Sequence, residues 1–331
     1  MTENTVNGSG NGARSGAQTL VLLSTPLNTQ ILRALAEGPK QQAQLRQETG
    51  SPAQTTLRAQ LKRLEQIGTL EKQRRNRFPG VLEYDLGAAG RDLLFVADSL
   101  EDWLGRAPDG PLPLGGNGAK AAVKALAEGW STTMLRALAG GPLSLTELDR
   151  VIAALSYPSL ERRLAAMRLA GHVEASSGNG RGTPYAVTEW ARRGVGPLAT
   201  AARWERRHTP KSTARIGRID IEAAFLLSIP LLSLPTDLSG SCRMAVELPG
   251  GREQRLAGVV VGVRRGQIES CTSRLQGTAD AWASGSVAAW LDAVIDADAN
   301  RIEPGGNSNL AGALLDSLHQ ELFGERSRSA A

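Results

Sequence analysis

The chain has 331 residues with 38 Lys/Arg against 33 Asp/Glu, a net charge of +5, 41% hydrophobic and 4% aromatic residues and two cysteines. That length fits two or three domains, each able to bury its own core. Two cysteines are too few for a secreted disulfide framework and no apolar run approaches the ~18 residues of a membrane span, so a cytoplasmic protein without membrane contact is expected.

Residues 1–19 are rich in Gly, Ser and Asn and read as a disordered tail. A first domain is expected over 20–104. Thr25-Pro26 starts a helix in which Leu27, Ile31, Leu32 and Leu35 fall at helical spacing, and Gly38-Pro39 ends it. A short second helix holds Leu45 and stops near Gly50. Ser51 is placed to cap, and Pro52 to open, a third helix. Its Leu57, Leu61 and Leu64 form one stripe; Gln54, Arg58 and Lys62 form another that faces away. The stretch "TLEKQRRNRFPGVLEYDL" alternates at both ends around an Arg/Asn/Pro/Gly tip, the pattern of a β-hairpin carrying Lys72, Arg74, Arg75 and Arg77. A last helix repeats Leu93, Val96, Leu100 and Trp103.

Helix, short helix, turn, polar-faced helix and basic hairpin together spell a winged helix-turn-helix. The third helix has the diameter of the major groove, and Arg58 and Gln54 are bidentate donors suited to guanine and adenine edges. Ser51 and Thr55 complete its expected DNA face. The hairpin would lie on phosphates and add affinity without sequence information. The expected partner is double-stranded DNA.

Residues 105–119 are rich in Pro and Gly and read as a linker, after which the pattern returns. "TQILRALAEGP" (29–39) is echoed by "TTMLRALAGGP" (132–142) at an offset of 103, which also pairs Leu45 with Leu148, Leu57 with Leu160 and Leu61 with Leu164. The offset then falls to 101, pairing Tyr84 with Tyr185 and Trp103 with Trp204. A second winged helix is thus expected over 120–208. Its third helix offers Tyr157, Ser159, Arg162 and Arg163, has Glu161 in the place of Arg58, and its wing keeps only Arg181. Residues 20–104 hold 11 Lys/Arg against 10 Asp/Glu and residues 120–218 hold 16 against 7. Much of the second surplus sits in Arg192, Arg193, Arg203, Arg206 and Arg207. The first copy is expected to read bases and the second to dock on phosphates, unless those arginines only solvate helix faces. The last helices are the expected contact surface, in a homodimer or in an intrachain pseudo-dimer.

The stretches "ILRALAEGPKQQAQLRQETG", "TLRAQLKRLEQIGTLEKQ" and "LEYDLGAAGRDL" resemble the HxlR family of bacterial winged-helix transcriptional regulators, related to the MarR group. The first copy departs from the family pattern with Gly87 where the family has Thr; the second keeps Thr188 but has Ala191 in place of Gly. Trp130, near the start of the second copy's first helix, is replaced by Leu27 in the first. The resemblance implies a DNA-binding regulator and covers about half the chain.

A linker over 209–218 leads to a third domain, 219–324, before a tail over 325–331. This part holds 9 Lys/Arg against 14 Asp/Glu, so the charge is segregated along the chain. "FLLSIPLLSLP" (225–235) is interrupted by Pro230 and reads as a buried segment. "RMAVELP", "AGVVVGVRRG" and "QIESCTS" read as strands, "SGSVAAWLDAVI" as a helix, "NRIEPGG" as a strand and "SNLAGALLDSLHQELF" as a closing helix. The fold class is mainly α with small hairpin wings, plus a C-terminal α+β domain. That domain resembles sterol carrier protein-like domains, which implies an apolar pocket for a hydrophobic small-molecule effector, with Phe225, Leu226, Trp282 and Trp290 as candidate liners. Read by themselves, the same residues serve equally to pack a core. The alternative function is a non-enzymatic carrier whose winged helices dock proteins.

Enzymatic chemistry is not expected: His172, His208 and His319 are scattered, with no triad or metal spacing, and no cofactor is implied. Cys242 and Cys271 lie outside the winged helices with only Arg243 as an adjacent cation, a poor setting for a redox sensor.

Overall fold

The computed structural model describes residues 16–74, 82–176, 182–209, 216–249 and 255–324. The first segment runs α1 (Ala17–Leu23), α2 (Pro26–Ala36), β1 (Lys40–Gln41), α3 (Gln42–Glu48), α4 (Gln54–Gln66), β2 (Leu70–Arg74), β3 (Leu82–Leu86) and α5 (Ala88–Gly105). The order then recurs as α6 (Asn117–Ala127), α7 (Gly129–Ala139), β4 (Leu143–Ser144), α8 (Leu145–Val151), α9 (Tyr157–Leu169), β5 (Val173–Ala175) and β6 (Pro184–Val187), but the single closing helix becomes two, α10 (Glu189–Arg193) and α11 (Val195–His208). A third segment comprises α12 (Arg218–Ser228) with a 3-10 turn, β7 (Gly240–Leu248), β8 (Arg255–Arg264), β9 (Gln267–Thr272), β10 (Ala281–Ser286), α13 (Val287–Asp296), β11 (Glu303–Gly306) and α14 (Ser308–Phe323).

Five elements extend the sequence reading. Helices α1 and α6 begin inside the expected tail and linker; Leu20 and Leu23 match Val123 and Leu126 at the same offset of 103, and all four are buried. The short strands β1 and β4 pair antiparallel with β3 and β6, so each hairpin is the outer part of a three-stranded sheet. The last half of strand β10, from Ser284 to Ser286, was expected to be the start of a helix. Its Ala/Ser/Gly composition has little β propensity, yet it lies between β7 and β11 in the sheet.

The chain condenses into two compact units that do not follow its order. One holds residues 15–124 together with 196–213, so α11 packs with the first segment. Its core is leucine-rich: Ile31, Leu32 and Leu35 of α2, Leu45 of α3, Leu57, Leu61 and Leu64 of α4, and Leu93, Val96 and Leu100 of α5 are buried. Helix α11 is fixed there by polar contacts. The Trp204 indole N–H donates to the Ala89 carbonyl at 2.7 Å, at the first turn of α5. The buried Glu205 carboxylate accepts from the Gly16 N–H and the Thr19 hydroxyl, both at 2.7 Å, and from the Thr19 N–H at 3.4 Å. It therefore satisfies otherwise orphaned donors at the start of α1. Gly16 has φ +82°, and a Cβ there would stand 2.4 Å from the Leu198 carbonyl oxygen, so glycine is what lets α1 approach α11. His208 Nε2 lies 2.7 Å from Asp92.

The Pro/Gly-rich stretch is docked on this unit. The Leu112 N–H donates to the Leu104 carbonyl at 3.0 Å. Gly115, with φ +83°, sits against the Pro26 ring, where a Cβ would fall 1.9 Å from Cγ.

The other unit holds 125–195 with 214–331. Its five-stranded sheet has the order β11-β10-β7-β8-β9, antiparallel except that β10 runs parallel to β7. One face carries the buried Cys242, Met244 and Val246 of β7, Val259 and Val261 of β8 and Ala281 and Ala283 of β10. Helix α12 links this α+β part to the second segment. Glu222, with no exposed side-chain surface, is gripped by Arg136 of α7 and by Arg218 at 2.6 Å. Arg192 of α10 donates to the Leu226 carbonyl at 2.7 Å and to the Ala139 carbonyl at 3.4 Å, placing one guanidinium at the C-terminal ends of α12 and α7.

Both carboxylates are structural anchors. Glu222→Ala strands Arg136 and should cost about 3 kcal/mol; Glu205→Ala leaves the donors of α1 unmatched and should cost about 1–3 kcal/mol. Calorimetric unfolding reads both, and a melt unchanged by either substitution contradicts its anchoring role.

Candidate nucleic-acid interface

The first helix-turn-helix is built around the α3–α4 turn. Arg46 Nε donates to the Pro52 carbonyl at 3.0 Å, and the Ser51 N–H to the Arg46 carbonyl at 2.8 Å. Ser51 adopts φ +56°, and the cap of α4 is Ala53. The expected capping role of Ser51 therefore fails: Pro52 does not open the helix, because the turn needs two further residues to redirect the chain. The first turn of α4 has no side-chain cap, so its N–H groups point outward from the helix start.

Along α4, Leu57, Leu61 and Leu64 face the core while Gln54, Thr55, Arg58 and Lys62 are exposed. The expected inner and outer stripes are thus both present. Ser51 is exposed beside them. Lys72 of β2 is committed: its ammonium lies 2.5 Å from Glu65 and 5.7 Å from the centre of the Tyr84 ring. The hydrogen bond it donates to Glu65 holds its pKa above the ordinary lysine value. Arg74 ends β2, while Arg75, Arg77 and Arg181, expected on the hairpins, lie outside the described residues.

The second segment differs at its turn. Ser156 occupies the N-cap position of α9 without a side-chain cap bond, and its hydroxyl donates to the Ser159 hydroxyl at 3.0 Å; Tyr157 and Arg162 are exposed, Ser159 and Arg163 half-buried. Arg192 and Arg193, expected to dock on phosphates, are already spent: Arg192 on the two helix carbonyls, Arg193 on Glu189 at 2.8 Å. Their positive charge neutralises elements of the protein itself, so the basic surplus of this segment overstates its attraction for a polyanion.

A three-helix body, an exposed polar third helix and a three-stranded wing sheet define residues of the first unit as a winged helix-turn-helix module. Residues 22–109 match the HxlR-like helix-turn-helix family. Among solved structures, the reduced form of the transcriptional regulator YodB from B. subtilis is similar at 26% identity and a TM-score of 0.27, over 28% of this chain and 90% of that one. No curated protein matches the chain.

The expected effector-pocket residues do not form one set. Phe225 and Trp290 meet edge to face with centroids 5.2 Å apart, Leu226 is buried on the same helix as Phe225, and the Trp290 N–H donates to the Ala245 carbonyl at 2.9 Å. Trp282 points to the other sheet face, 47% exposed, its indole lying over Gly305. Among the described residues, no group of three or more His, Cys, Asp or Glu is placed to hold a metal ion, and no helix is long and apolar enough to cross a membrane.

Cys242 is buried and Cys271 half-buried. Burial pushes Cys242 up to about 12, and pushes Cys271 up to about 12 against the opposing pull of Arg192. The native chain thus presents almost no thiolate at neutral pH. Iodoacetamide should label both residues at least about 100-fold more slowly than free cysteine in the folded chain and at the ordinary rate in denaturant. Mass spectrometry of the alkylated peptides checks this; rapid labelling of the folded chain contradicts it.

Proposed function

We propose that the chain is a DNA-binding transcriptional regulator in which the first winged helix reads duplex DNA. The carrying observation is the exposed row Gln54, Thr55, Arg58 and Lys62 on a helix anchored by three core leucines, within the segment that matches a helix-turn-helix family. Gln54 and Arg58 are the base readers; Ser51, Lys62 and the hairpin arginines Arg74, Arg75 and Arg77 hold phosphates.

In this reading residues 120–208 form a second, divergent winged helix. Helix α11 then does inside one chain what a second subunit does in a dimer, and the pseudo-dimer is intrachain. Support comes from the recurring element order and from the packing of α11 with α1 and α5.

The C-terminal domain, in the same reading, is a sterol carrier protein-like sensor for a hydrophobic effector. Helix α12 supports a route between the two functions. It places Phe225 against Trp290 in the apolar interior and Glu222 on Arg136 of α7. A ligand wedged beside Phe225 would strain the contact with α7 and so bias the second segment.

Duplexes enriched from a random pool by the full chain provide the test, read by fluorescence anisotropy across a salt series. Affinity should fall steeply with salt, and Arg58→Ala should weaken the selected duplex by about 1–3 kcal/mol. Lys62→Ala should lower affinity for all sequences and reduce the salt slope by about one. Binding indifferent to salt, or to Arg58→Ala, overturns the reading.

A further inference from the structure

The two third helices are in register but distribute their charge differently. Each has 13 residues, Gln54–Gln66 in α4 and Tyr157–Leu169 in α9. At the offset of 103 the buried Leu57, Leu61 and Leu64 become the buried Leu160, Leu164 and Met167, so the same positions face outward in both. Each helix also carries three cations and one carboxylate: Arg58, Lys62, Arg63 and Glu65 in α4, and Arg162, Arg163, Arg168 and Glu161 in α9. The balance that attracts a polyanion is therefore equal in the two helices. What differs is the position of the carboxylate.

In α4 the carboxylate lies in the last turn, where Glu65 pairs with Lys72 of β2, and the Lys72 ammonium lies 5.7 Å from the centre of the Tyr84 ring. The second copy builds this corner in another way. Arg168 stands at the position of Glu65 and its guanidinium lies over Tyr185, the counterpart of Tyr84, 5.4 Å from the ring centre, while Ala175 stands at the position of Lys72. The cation over the tyrosine is kept, but the helix itself supplies it. The carboxylate of α9 is Glu161, exposed in the second turn at the position of Arg58. Charge is thus reversed at the position from which the first copy presents its bidentate donor.

A carboxylate on the outward face of a DNA-facing helix is repelled by phosphates. It is stabilising only where a base edge donates to it. In the major groove the N4 amino group of cytosine is a donor with no acceptor on the same base, whereas the N6 amino group of adenine stands beside the N7 acceptor. We propose that Glu161 is a specificity-determining residue that accepts a hydrogen bond from cytosine N4, where Arg58 donates to guanine; the role rests on the chain being a DNA-binding regulator. The preferred duplex is then asymmetric. The two helix-turn-helix segments read unlike half-sites, and an inverted repeat, which suits two identical readers, does not satisfy both. Arg162, exposed beside Glu161 at the position of Ala59, supplies a phosphate contact that offsets the repulsion. The first turn differs in the same sense: Tyr157 and Pro158 stand where Gln54 and Thr55 stand, and neither presents a bidentate amide to adenine.

Selection of duplexes from a random pool by the full chain tests the assignment, followed by fluorescence anisotropy on the selected duplex and on each of its single-base substitutions. The selected sequence should lack two-fold symmetry and contain a C·G pair whose replacement weakens binding about 5- to 150-fold, the range of one good base contact. Glu161→Ala should abolish that discrimination and leave the position read by Arg58 unchanged. Glu161→Arg should turn the preference at the same position from cytosine to guanine. Arg58→Ala should relax a different position. Glu161 is exposed, so both of its variants should keep the wild-type melt. A wild-type chain that selects an inverted repeat overturns the proposal. So does a Glu161→Ala chain that binds every duplex more tightly with its preferences intact, because the carboxylate then only repels. In either case a loss of specificity in Arg58→Ala shows that reading by α4 stands, whereas a chain with neither salt-dependent binding nor an effect of Arg58→Ala overturns both.

Discussion

The packing of α11 with the first segment sets the architecture. One buried carboxylate, Glu205, gathers the free donors at the start of α1, and one indole, Trp204, reaches the first turn of α5. Neither contact is interchangeable. A buried carboxylate without its donors is costly, so Glu205 specifies where α11 goes as well as holding it there. The glycine at position 16 belongs to the same constraint, because any side chain would collide with the Leu198 carbonyl. The second segment is thereby divided: residues 125–195 lie in one compact unit and 196–213 in the other.

A second polar knot organises the remaining unit. Glu222 and Arg192 both work on α12, the one through Arg136 of α7 and the other through the carbonyls that end α7 and α12. Apolar packing alone allows helices to slide; charge pairs and carbonyl contacts at defined positions fix the register. The acidic third of the chain thus meets the most basic segment through buried partners, and the charge segregation visible along the sequence is partly internal bookkeeping. Counting lysines and arginines overestimated the second segment's appeal to DNA for this reason.

The local elements were largely legible. Leucine spacing located α2, α4 and α5, Gly-Pro marked where α2 ends, and alternation marked the hairpins. The exposed row on α4 followed from the same periodicity, since a helix with one leucine stripe must turn its remaining residues outward. Three things were hidden. Strand β10 is composed, Trp282 apart, of small residues whose place in the sheet is imposed by β7 and β11. The turn conformation of Ser51 depends on Arg46 reaching the Pro52 carbonyl, a contact that no capping rule contains. The departure of α11 from its own repeat rests on Glu205, which in sequence is one acidic residue among arginines. Trp282 and Trp290 looked equivalent as apolar liners, but Trp282 lies on β10, whose alternate residues face opposite sides of the sheet, and Trp290 lies on α13 against Phe225.

Gly194, the one residue between α10 and α11, therefore marks more than a break in a helix. The boundary between the two units falls one residue beyond it, between Val195 and Gly196. Because α11 follows the second segment in sequence but packs with the first, neither stretch can be expressed alone without leaving a helix behind.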